Sequence, residues 1–146
     1  MADGGSPVDG AVLETIYDRA QTHSLVGTVR AERTDATISR VVIALDLDQY
    51  PDHIQDARLE IRWFRNDDYS FHYVETHTGD ESWQCRWDRH TNPHTSRTHF
   101  HPPPMANSAN AVSDQPADIH PMTVFTRTFA NIRQRIGELW ERQGSG

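Results

Sequence analysis

A two-residue apolar period runs through the middle of this chain and restricts its fold more than any other feature. Val41, Ile43, Leu45 and Leu47 alternate with other residues, as do Leu59, Ile61 and Trp63, then Tyr69, Phe71 and Tyr73, then Trp83, Cys85 and Trp87. Alternation places the apolar side chains of each run on one side of a strand, so each run predicts a half-buried strand. Asn66-Asp67-Asp68 and Thr78-Gly79-Asp80 separate runs with turn-forming residues, which lets consecutive strands pair as hairpins. The expectation is an antiparallel meander of four or five strands.

Helical spacing flanks the meander. Asp9 can cap a helix over about residues 10–23, in which Val12, Leu13, Ile16, Tyr17 and Ala20 form one stripe. Phe125, Phe129, Ile132, Ile136, Leu139 and Trp140 form a second stripe, with Arg127, Arg133, Arg135 and Arg142 elsewhere around that helix. The fold class that follows is α+β: an N-terminal helix, the meander, and a C-terminal helix packed on one sheet face. At 146 residues the chain suits a single domain, 1–146. Residues 1–8 and 144–146 have the composition of loose termini. Pro102, Pro103 and Pro104 cannot continue a strand, so 102–117 is expected to be a mobile loop in which the sheet ends.

No apolar run approaches the length of a membrane span and the start does not resemble a signal peptide, so a cytoplasmic protein is expected. Cys85 is the only cysteine, which rules out an internal disulfide and a cysteine-based zinc cage, and its place between Trp83 and Trp87 predicts core packing. All fourteen basic residues are arginine, and the net charge is −7. That balance suits a salt-loving source such as a halophilic archaeon, where salt screens an acidic surface. Charge is uneven: residues 1–82 hold seven arginines against sixteen acids, whereas 83–104 hold three against one. An anion could meet a locally positive surface in the second half, although a solvated acidic face elsewhere accounts for the same numbers.

Residues 86–104, RWDRHTNPHTSRTHFHPPP, gather four histidines, three arginines and a proline triplet. With Trp83, Cys85 and Trp87 on the core side, Arg86 and Asp88 fall on the other, and His72 can join them. His99 and His101 point the same way if 98–101 is extended. Such a set can do two kinds of chemistry. Two imidazoles can act as acid and base on a phosphodiester while arginine offsets the charge on its oxygens, with no metal required. Alternatively His94, His99 and His101, or the pair with Asp88, can hold zinc with a position left for water, or support a non-enzymatic metal-stabilised binding or interaction module. Exposed loop histidines with neither role are the plain alternative, and the one that His23, His53, His77 and His120 fit best, at predicted element ends.

The run RWDRHTNPH followed by HFH is similar to the pattern of the TumE family of toxins from toxin-antitoxin systems, in which an arginine-aromatic-aspartate strand end leads through Pro-His to closely spaced histidines. The resemblance covers roughly 55–140 and is sharpest over 86–101. It implies a toxin with ribonuclease-like inhibition of growth, so an endoribonuclease whose partners are RNA and a cognate helix-turn-helix antitoxin, with a homodimer left open. Arg86, Asp88, His94, His99 and His101 match the motif positions and are the expected catalytic set. Arg89 stands where the family usually has asparagine, and His-Phe-His replaces adjacent histidines. A diverged, inactive member retained for complex formation is also compatible with those departures.

Overall fold

The computed structural model describes residues 6–91, 96–113 and 119–145. Helix α1 (Gly10–Ala20) begins where Asp9 accepts a hydrogen bond from the Val12 N–H at 3.1 Å, satisfying one of the donors that a helix start leaves open. Its Leu13, Ile16 and Ala20 are wholly buried. Seven strands follow: β1 (Val26–Thr34), β2 (Thr37–Leu45), β3 (Ile54–Trp63), β4 (Tyr69–His77), β5 (Ser82–Thr91), β6 (Ser96–His101) and β7 (Val112–Ser113). Helix α2 (Pro121–Ser145) closes the chain.

Each strand pairs antiparallel with its chain neighbours, giving one open sheet in the order β1 to β7. The α+β class with flanking helices holds, but the expected four- or five-stranded meander is too small. Thr28, Arg30, Glu32 and Thr34 leave β1 without a strong apolar side, and β6 is short, with Thr98 and Phe100 facing the core, so the period marks both strands weakly. Two residues, as in β7, cannot display a period at all. The sheet therefore does not end at the prolines. Beyond His101 the Ala106 N–H donates to Pro102 O at 3.0 Å, a short 3-10 turn spans Ser108–Asn110, and β7 pairs Ser113 with His99. Residues 114–118 of the expected loop lie outside the described residues. At the other end Val8 bridges to Phe64, so the described part of the expected loose start is docked.

Register aligns the core-facing side chains, odd-numbered from β2 to β5 and even-numbered on β6. Val41 faces Ile61, Ile61 faces Phe71, Phe71 faces Trp87, and Trp87 faces Phe100. Both helices join these residues in one core. Leu47 departs from the expected stripe: it starts a 3-10 turn, Leu47–Gln49, and is exposed. Trp140 is half out of the core too, its Nε1 donating to Gln49 O at 2.9 Å.

One arginine moved inward. Arg135, expected away from the core stripe, is buried and donates to both carboxylate oxygens of the wholly buried Glu75 on β4, at 2.9 and 2.8 Å. The Tyr73 hydroxyl donates to Glu75 at 2.7 Å, Tyr50 joins Tyr73 at 2.7 Å, and His77 Nε2 lies 2.8 Å from Glu75. These bonds satisfy a carboxylate that burial would otherwise make costly. They also pin α2 to the sheet.

Candidate active site

The even-numbered side chains of β5 and the odd-numbered side chains of β6 project from the sheet side opposite the helices. Arg86 pairs in register with His101 and Asp88 with His99, while His72 and Ser70 on β4 stand across from Arg86 and Asp88. Two adjacent strands thus bring Arg86, Asp88, His99 and His101 together, as the alternation predicts. His94 lies outside the described residues.

Asp88 is the centre of the group and only 2% exposed. Its Oδ2 lies 2.8 Å from His101 Nε2 and accepts from Arg86 Nε at 3.0 Å. Arg86 NH2 is 3.3 Å from both ring nitrogens of His101, a symmetric approach that an in-line hydrogen bond to one of them would not produce. His101 is 5% exposed, whereas His99 keeps a partly open side chain. The two imidazole centroids are 6.3 Å apart with ring planes inclined by 54°, close enough for both rings to reach one phosphodiester group.

Burial lowers the affinity of His101 for a proton, and the Arg86 charge lowers it further; Asp88 opposes both, but the net shift is below the ordinary imidazole value. A neutral imidazole bonded through Nε2–H to a carboxylate presents an unprotonated Nδ1, the form a base needs. Asp88 Oδ1 is buried and accepts no hydrogen bond among the described residues, with His99 Nδ1 3.9 Å away. Leaving such an oxygen unpaired costs about 1–3 kcal/mol.

His90 shares the strand parity of Arg86 and Asp88 and sits 3.5 Å from Asp88 Oδ2 with its side chain exposed. Parity was the signal that could have added it to the expected set. Cys85 lies on the other side of the strand, where burial pushes its thiol up to about 12, as suits a packing residue. Among the described residues no three histidine, cysteine, aspartate or glutamate side chains converge to hold a metal. Of the expected zinc ligands, His101 has its two nitrogens beside Asp88 and the Arg86 cation, an unfavourable setting for a second cation.

No helix among the described residues is long and apolar enough to cross a membrane. A family model described as Toxin TumE matches residues 13–136. No curated protein and no solved structure matches the chain.

Proposed function

The chain belongs to the TumE toxin family, and from that premise we propose that it is a toxin that cleaves RNA without a metal. The observation carrying this reading is the buried Asp88–His101 pair set beside an accessible imidazole and a guanidinium. His101 Nδ1 removes the proton of a ribose 2′-hydroxyl. The resulting alkoxide attacks phosphorus, the bond to the 5′ oxygen breaks, and His99 gives that oxygen its proton. The products are a 2′,3′-cyclic phosphate and a 5′-hydroxyl end. Arg86 offsets charge on the phosphoryl oxygens, and Asp88 keeps His101 in the tautomer that leaves Nδ1 unprotonated. His94 remains in the candidate set through its motif position. A toxin of this kind implies an antitoxin partner, which we take to be a helix-turn-helix protein.

The test is cleavage of total RNA in buffer containing a chelator. The parent protein should cut, and His99→Ala and His101→Ala should each lose about 10²- to 10⁴-fold in rate, the usual contribution of a positioned acid or base. Undiminished cutting by both variants, or activity that returns only with added zinc, would overturn the assignment.

A further inference from the structure

Behind the histidine cluster, on the helix side of the same hairpin, the protein holds a cavity of about 260 Å³. Trp83 and Trp87 of β5 line it with Cys85 midway between them. At about 3.3 Å per strand residue the two indoles are rooted about 13 Å apart. The small thiol between them leaves a slot. One wall is stiffened by the Arg135 guanidinium, 3.6 Å from the Trp83 ring centre, and the other by Phe100, whose ring centre is 5.3 Å from that of Trp87.

Helix α2 supplies a polar rim. Asn131, Gln134 and Glu138 lie at spacings of three and four, along one helical face. The Asn131 amide donates to Arg127 O at 3.1 Å, which leaves its own oxygen open. Gln134 and Glu138 have no hydrogen bond or ion pair among the described residues. Gln134 and Glu138 are exposed and Asn131 partly so, and they stand at the mouth of the slot. A flat heterocycle with donors and acceptors on its edge would use them.

We propose that this cavity is a nucleobase site, in which the base lies between the Trp83 and Trp87 walls and its edge meets Gln134, Glu138 and the Asn131 oxygen. Aromatic walls with amide-bearing edges are how proteins hold unpaired bases. The volume falls just below the roughly 300–1,000 Å³ of drug-sized sites, so it suits one ring system and not a whole nucleotide cofactor. Glu138 at the rim disfavours phosphate there, and Glu75 already occupies the Arg135 guanidinium, which directs the sugar-phosphate outward. Trp87 and Phe100 alternate along their strands with Asp88, His99 and His101, so an occupied slot braces the strands that carry the cluster. The proposal rests on the RNA reading only for the source of the base.

Two of the four tryptophans line the slot, so their fluorescence reports on it directly. His99→Ala, used to suppress cutting, would be titrated with adenosine, guanosine, cytidine and uridine, and in parallel with toluene. At least one nucleoside should quench saturably. Added Gln134→Ala should weaken that binding roughly 2- to 10-fold, the worth of one hydrogen bond, without disturbing the fold because the residue is exposed. Added Cys85→Leu should abolish it by filling the slot. Displacement of the nucleoside by a short oligoribonucleotide would identify the ligand as a base of RNA, and failure to displace it would identify a free nucleoside. No saturable quenching by any nucleoside, or quenching matched by toluene and indifferent to Gln134→Ala, would overturn the proposal. Nucleoside binding by a parent protein that cuts no RNA would sink the RNA reading alone, and cutting without nucleoside binding would sink the pocket alone.

Discussion

Asp88 Oδ2 and His101 Nε2 face each other at 2.8 Å across neighbouring strands, in a pair almost closed to solvent. Strand register, set by Arg86 opposite His101 and Asp88 opposite His99, holds the pair in place. Its contribution to chemistry and to folding can be separated by substitution.

Asp88→Asn preserves shape but replaces an acceptor oxygen with a donor or leaves a neutral acceptor, which weakens control of the His101 tautomer. RNA cleavage should fall by about 10²- to 10⁴-fold while the circular dichroism spectrum is unchanged. Asp88→Ala should in addition cost about 3 kcal/mol in urea unfolding, since Arg86 and His101 then lose their shared carboxylate. An Asp88→Asn protein with parental activity would remove the orienting role.

Proton binding to His101 gives a pH signature. The folded value lies below the usual 6.5 because burial and Arg86 outweigh Asp88, so the folded protein binds fewer protons than the unfolded chain as pH falls through that region. The linked stability is present above about pH 6.5 and declines as pH falls from there toward the folded value. His23 shifts in the same direction, through burial first and then Arg133 and Arg19. Urea midpoints measured from pH 7.5 to 5 should fall, and less so in His101→Gln. The acidic limb of kcat/KM should likewise lie below 6.5 if His101 is the base; a limb above it would exclude that role.

The Glu75–Arg135 pair predicts a larger effect. Arg135→Met strands a buried carboxylate and should cost about 3–5 kcal/mol, whereas Arg135→Met combined with Glu75→Gln should recover a substantial part of it. Burial alone would raise Glu75, but hydrogen bonds from Arg135, Tyr73 and His77 prevail and hold it below its ordinary value. Its stabilisation is therefore present above about pH 4.5 and lost as pH falls through the lower folded value. Chemical denaturation of the single and double variants checks the coupling, and equal losses in both would contradict it.

Asp9→Ala removes the cap of α1 and should lower stability by about 1 kcal/mol, with no change in RNA cleavage because the helix lies on the opposite side of the sheet from the cluster. Calorimetry and the chelator assay together test that separation.

Parity and period were legible in the local pattern of residues. A strand has only two sides, so alternation in WQCRWD was enough to send Trp83, Cys85 and Trp87 inward and Arg86 and Asp88 outward, and His99 and His101 together once β6 was extended. A stripe of apolar residues likewise sufficed for both helices, with Asp9 marking where one begins. Which strands exist beyond the apolar ones is set by long-range pairing, because β1, β6 and β7 are held by a neighbour and carry little period of their own. Tertiary packing also decided burial at the flank of α2, where Arg135 enters the core because Glu75 meets it there across sixty positions of sequence. Likewise it closed Asp88 and His101 from water while leaving His99 partly open, a difference between two histidines that share one face. Local pattern specifies direction from a backbone; depth and partners depend on what distant segments bring to the same place.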